Sequence, residues 1–341
     1  MGRRREGIRR QGRLMAQAGS RARSAGTILL AAAVLAPYAA AAQEWPARPV
    51  RMMVGFGAGG GTDILARVIA PPLAELLGQP VVVENRPGAG GTVAAHQVAM
   101  AASDGYTAFM LNNGHAVGAV VYKSLPYDAV GDFQPVSMVA TMPLVVVTGS
   151  KAPYTDLRGL IGAAKQNPGK LNFASVGVGS TQQFAGELLL QLAGASLVHV
   201  PYKGTPNAIA AMQSGEAHML VEVAAAVLGQ VRGGALKALA VTSAQRFSAL
   251  PDVPTVAEAG IPGYDVTTWY ALAFPARTPA AIVARMSGAL RAALQREDVR
   301  RQLGNAAFVP ETSTAEALAG HIRSEIARWS GVRDRAGIQQ Q

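Results

Sequence analysis

The stretch "VGFGAGGGTD", Val54 to Asp63, decides how the rest of the chain is read. It follows the apolar run "VRMMV" and leads into "ILARVIAPPLAELL", whose apolar residues recur with helical spacing. Strand, glycine-rich turn and helix in that order form the opening unit of an α/β protein. Such a turn also offers the free N–H groups of a helix start to an anion. Read as Gly55-x-Gly57-x-x-Gly60, it fits the dinucleotide fingerprint, and Glu84 closes the next strand roughly where an acid would meet the ribose. Asp63 argues the other way. It would place a carboxylate beside the pyrophosphate, and it serves more naturally as a cap or a first-turn acid complementing the helix dipole.

The same rhythm continues along the chain. "PVVVEN", "GYTAFML", "PLVVVTG", "LNFASV", "LVHVPY", "HMLVEV" and "LKALAVT" read as strands with helices between them. This predicts parallel-rich sheets covered by helices. From Pro279 the pattern changes. "AAIVARMSGALRAALQ" and "AEALAGHIRSEIARWSGVRD" are amphipathic helices with no strong strand after them. The chain is expected to finish its second half near Tyr264 and return to dock these helices on the first.

Bulk composition narrows the function classes. Of 341 residues, 50% are hydrophobic and 15% charged, which excludes a disordered chain. The net charge of +10 is uneven: eight arginines and one glutamate fall in residues 1–42, leaving 23 basic and 20 acidic residues in the rest. A basic body for nucleic acid is therefore not expected. Arg3 to Arg23 precede the apolar segment "AGTILLAAAVLAPYAAAA", which ends in Ala40-x-Ala42 before Gln43. This reads as a cleaved export signal over residues 1–42 and implies a periplasmic protein. Arg9-Arg10 resembles a twin-arginine signal, but "RRQGRL" lacks the apolar residues that usually follow the pair. The absence of cysteine excludes thiol catalysis, Fe–S clusters and Cys-ligated zinc.

Four polar or glycine-rich loops lie after strands and before helices: "GFGAGGGTD", "NNGH", "SVGVGSTQQ" and "YKGTP". In an open α/β sheet such loops gather at the carboxyl edge, where ligands bind. Together they point to anion binding by N–H and hydroxyl groups. Catalytic constellations are poor. His96, His115, His199, His218 and His321 are scattered without metal spacing, and Ser180 follows its glycines instead of sitting between them. Only His115 falls in a candidate loop. No cofactor is expected, and an exported protein would meet little free NAD.

The motifs "VGFGAGGGTDILAR", "LGQPVVVENRPGAGG", "DGYT", "YKSLPYD", "DFQPVSMVA", "HVPYKG", "LKALAVTSAQR", "LPDVPTVAEAGIPGY" and "IRSEIARW" occur in this order from Trp45 to Ile338. In this the chain resembles the Bug-type solute-binding proteins, the extracytoplasmic receptors of tripartite tricarboxylate transporters. The resemblance implies a periplasmic-binding-protein (Venus-flytrap) fold of two α/β domains, residues 43–143 plus 266–341 and residues 144–265. It also implies a small carboxylate ligand in the cleft between them, a monomer, and membrane permease subunits as partners. By position, ligand contacts would come from Phe56, Gly59, Gly60, Gly61, Thr62 and Asp63, then Asn112, Asn113 and His115. In the second domain they would come from Ser175, Gly177, Ser180, Thr181 and Gln182, with Tyr202, Lys203, Gly204 and Glu222. Gly55 and Ala58 stand where the family usually has proline, Val178 where it usually has a polar residue, and Glu222 where it commonly has Asp. These departures bear on the ligand, not on the fold.

Overall fold

Four of the five residues of strand β1 (Val50–Val54) are buried, which is why "VRMMV" reads as an apolar run. The strand lies between β2 (Val81–Asn85) and β3 (Thr107–Asn112) and runs parallel to both. The computed structural model describes residues 45–341, so the expected signal and its cleavage point lie outside the described residues. Among the described residues, no helix is long and apolar enough to cross a membrane.

Helix α1 (Gly61–Leu77) carries two interior prolines, Pro71 and Pro72. Each removes a backbone hydrogen bond and costs about 3 kcal/mol. The helix persists because Leu65, Ile69, Leu73 and Leu77, one per turn, are all buried. Burying each contributes roughly 1.5–3 kcal/mol, enough to offset both prolines. Gly78 ends the helix at φ 73°, where its N–H reaches the Ala74 carbonyl at 3.0 Å.

The chain continues through α2 (Thr92–Ala99), α3 (Asn113–Val121), β4 (Phe133–Gly149), α4 (Leu157–Gln166), β5 (Asn172–Ser175) and α5 (Thr181–Ala193). Then come β6 (Val198–Pro201), α6 (Thr205–Ser214), β7 (Met219–Val223), α7 (Ala224–Arg232), β8 (Leu236–Val241) and β9 (Thr267–Pro275). Helices α8 (Ala280–Gln295) and α9 (Glu297–Asn305), strand β10 (Val309–Pro310) and helix α10 (Ala315–Ala336) complete it. The strands order as β2-β1-β3-β9-β4-β7-β5-β6, with β8 and β10 also pairing with β4.

Strand β4 organises the sheet. Its 17 residues exchange partners part-way: Phe133 to Pro143 pair with β9, and Leu144 to Gly149 with β7 and β8. The flanking strand sets are parallel, β1 with β2 and β3, and β5 with β6 and β7. The crossing strands are antiparallel to their neighbours. This corrects the expectation of a parallel-rich sheet. The chain passes to the second half along β4 and returns along β9, so the two strands must oppose each other.

Two elements differ from the sequence reading. "TTWYALAFP" forms the buried strand β9, and "FQPVSMVA" forms the first half of β4; neither was expected as a strand. Helix α10 packs on α3, as a tail docked on the first half should, but it also reaches α5. Trp329 meets Phe184 edge-on at 5.9 Å, and Gln191 donates to the Val332 carbonyl at 3.2 Å.

The core forms two layers, one on each face of the sheet. Met53, Phe109, Leu111 and Val146 belong to one, and Met52, Val54, Met110 and Val145 to the other. This is the period-two alternation of strands covered on both sides. The loops at the carboxyl ends of β1, β3, β5 and β7 are left to face a common cleft.

Candidate ligand-binding site

The first wall is the start of α1. Gly60 is its N-cap and supplies no side-chain cap, so the first-turn N–H groups stay available to a ligand. Gly61 allows a close approach: a Cβ there would lie 3.0 Å from the Tyr270 hydroxyl. Asp63 turns away from the cleft and ties the loop down. Its carboxylate accepts from the Gly59 N–H at 2.8 Å, Arg67 Nε at 3.0 Å and Asn85 Nδ2 at 2.9 Å. Asn85 also donates to the Phe56 carbonyl at 3.0 Å. Burial raises the Asp63 pKa, but the bonds from Arg67, Gly59 and Asn85 more than reverse this and hold it below the usual carboxylate range.

Helix α3 adds the adjoining wall. Asn112 caps it by accepting from the Gly114 N–H at 2.9 Å, and its Nδ2 donates to Thr62 Oγ1 at 2.9 Å. One side chain therefore couples two helix starts. Asn113 pins β9, donating to the Thr267 carbonyl at 3.1 Å and accepting from the Trp269 N–H at 2.6 Å.

The second wall is the loop after β5 and the start of α5. Ser180 caps this helix through the Gln183 N–H at 3.2 Å, while Gln183 Oε1 accepts from the Gly179 N–H at 2.8 Å. This is close to a capping box, shifted by one residue. Behind it lies Glu222, fully buried on β7. Its Oε1 accepts from Gln182 Nε2 and the Val223 N–H, each at 2.8 Å, and its Oε2 accepts from Thr205 Oγ1 at 2.9 Å. Burial pushes its pKa up, against the lowering effect of those three bonds.

These walls enclose a cavity of about 480 Å³, with Thr268 and Tyr270 of β9 also on its wall. Phe56, Gly60, Gly61, Thr62, Asn112 and Asn113 line one side. Gly177, Ser180, Thr181, Gln182 and Glu222 line the other. No Lys, Arg or His lies among the residues that line it. A ligand anion would meet N–H groups, hydroxyls and amides, not a cation.

Seven of the expected contacts lie off this wall. Gly59 and Asp63 are bound to each other. His115 is buried beneath the cleft, where Nε2 donates to the Ala129 carbonyl at 2.7 Å and the ring stacks on Tyr127. Ser175 is fully buried and shares a 2.7 Å hydrogen bond with His199 Nε2. The Tyr202 hydroxyl leaves for Glu216 Oε1 at 2.9 Å, the Lys203 carbonyl accepts from Asn207, and Gly204 is the N-cap of α6. Thr205, Thr268 and Tyr270 line the cavity but were missed. Thr205 directly follows the noted "YKG", and the other two belong to the unrecognised β9.

The Ser175–His199 pair brings a hydroxyl against an imidazole, which the scattered histidines concealed. Ser175 is closed off from the cavity, however, and also bonds the Gly177 carbonyl at 3.1 Å. Among the described residues no group of three or more His, Asp or Glu is placed to hold a metal.

The family model described as "Tripartite tricarboxylate transporter family receptor" matches residues 65–338. The structure of periplasmic binding protein BugD is 31% identical, covers 87% of this chain and 100% of its own, and gives a TM-score of 0.75. An R. palustris protein with adipate is 35% identical, covers 87% and 100%, and gives 0.79. MatC from Rhodopseudomonas palustris with bound malate is 34% identical, covers 84% and 99%, and gives 0.74. The fold is that of the periplasmic solute-binding proteins, and the chain belongs to the tripartite tricarboxylate transporter receptor family, of the Bug type.

Proposed function

We propose that the protein is an exported periplasmic receptor that captures a small carboxylate in this cavity and presents it to the permease subunits of a tripartite transporter. The observation that carries this reading is a cavity built on the starts of α1, α3 and α5 with no cationic side chain on its wall. Helix starts bind carboxylates through N–H groups and the positive dipole end. Three charge-assisted hydrogen bonds at about 1.5–3 kcal/mol each contribute about 4.5–9 kcal/mol, and burial of the rest of the ligand must supply what association costs. The related proteins with adipate and malate support a carboxylate ligand.

The moving units would be residues 43–143 with 266–341 and residues 144–265, acting as a monomer. The change of partners along β4 at Pro143/Leu144 supports that division. A ligand touching both walls favours the closed form in proportion to its extra contacts there.

The test is calorimetry of the exported chain against a panel of carboxylates, with Gly60→Asp and Ser180→Asp as variants. At least one carboxylate should bind the parent protein, and both variants should abolish binding by blocking and repelling the anion. Unchanged affinity in both variants would refute the site.

A further inference from the structure

Glu222 is a fully buried carboxyl on the wall of a cavity whose lining holds no Lys, Arg or His. Burial raises its pKa, so a cation placed beside it would favour its ionised form. Among the described residues, no Lys, Arg or His pairs with it. Its neighbours are neutral donors: Gln182, Thr205 and its own chain at Val223. A carboxylate offers about four lone-pair positions, and three are taken. Both donors to Oε1 are N–H groups, which cannot accept in return, so that oxygen is held as an acceptor. Oε2 meets only the Thr205 hydroxyl. The helix starts of α5 and α6 that face this group carry partial positive charge, not a whole one.

Other acceptors share the cavity. Thr268 is buried, its Oγ1 has no partner, and it lines the same space. Tyr270 lines it too, with its hydroxyl beside Gly61 at the α1 start and near enough to Glu222 that burial, then the Glu222 charge, pushes its pKa up. An ammonium group has three N–H donors and needs this kind of oxygen-rich surrounding. A second carboxylate placed there would meet acceptors in place of donors and would push the Glu222 pKa further up. The other side is built differently: the start of α1, without a side-chain cap, and the start of α3, linked to it by Asn112, offer N–H groups to an anion, and Phe56 and Val178 add apolar surface to the lining.

Resting on the function proposed above, we infer that the ligand is an amino carboxylate, with its carboxylate at the α1–α3 side, a short apolar chain, and a protonated amine against Glu222. Adipate and malate, found with relatives of this chain, carry no amine.

Length-matched ligands test this. 6-Aminohexanoate, adipate and hexanoate form one set; 4-aminobutyrate, succinate and butyrate form another. Calorimetry on the wild-type receptor and on Glu222→Gln, whose folding is checked by circular dichroism and thermal unfolding, gives the comparison. The amino member of one set should bind the wild type at least about 30-fold tighter than its dicarboxylate partner. Glu222→Gln should weaken the amino ligand by a similar factor while leaving the dicarboxylate unchanged or tighter. Dicarboxylate binding equal to or tighter than amino binding overturns this inference alone and leaves the carboxylate receptor standing. No binding by any member, amino or plain, overturns both.

Discussion

His115 offers a sharp test of the buried architecture beneath the cleft. It is packed between Phe109, Tyr127 and Phe133, with Nδ1 buried and unpartnered. Burial lowers its pKa from 6.5 to about 4, only partly opposed by the bond to Ala129. The unfolded chain therefore binds this proton more tightly than the native one. The stability from neutral His115 is complete above pH 6.5 and is lost as pH falls towards 4. At about 1.4 kcal/mol per pH unit, the loss accumulates to about 3 kcal/mol by pH 4. His115→Gln removes the titration and keeps a donor for Ala129. The variant should be somewhat less stable than wild type at pH 7, through lost ring packing, yet approach or overtake it by pH 4. Urea unfolding at unit pH steps from 7 to 4 measures the difference. Glu187, whose burial lifts its pKa to about 7, acts in the opposite sense: stability present below 4.5 is lost as pH rises through 7. It is common to both proteins and cancels in the comparison. Parallel pH profiles for wild type and variant would refute the reasoning.

Two further substitutions probe the scaffold. The Glu325 carboxylate accepts from the buried indoles of Trp269 at 3.2 Å and Trp329 at 2.9 Å. Glu325→Ala should cost about 2–4 kcal/mol by leaving two indole N–H groups unpaired, while Glu325→Gln should cost less, and a urea midpoint unchanged in the Ala variant would contradict this. Asp63→Asn removes the charge from the bonds to Gly59 and Arg67 and should lower stability by about 1–2 kcal/mol. It should also weaken ligand binding by loosening the first wall, so equal melting temperature and affinity would show that Asp63 is dispensable there.

The loop-to-helix units were legible because each joins a turn-forming residue to an apolar periodic helix. "VGFGAGGGTD" leads to α1 and "GST" to α5, each with the expected N-terminal chemistry. The orientation of individual side chains was less legible. Gly114 and Gly118, four residues apart, face the cavity, while His115 lies about 100° further round the helix and points into the core. Asp63 is rotated away from Gly61 and Thr62 for the same reason. Strand β9 was hidden because "TTWYALAFP" has no alternation. It is buried almost throughout, between partners distant in sequence. A short buried apolar run cannot be assigned by periodicity alone. The partners of Glu222 on three separate elements, and Ser175 of His199, are likewise products of tertiary pairing.

The proposed receptor holds its ligand carboxylate by helix starts, not by cationic side chains. A crystal structure of the protein bound to the best carboxylate from the panel tests it most directly. Carboxylate oxygens should lie about 2.7–3.2 Å from first-turn N–H groups such as those of Gly61 and Thr62, with no Lys or Arg in contact. A carboxylate clamped by an arginine or lysine, or seated outside this cavity, would contradict the account.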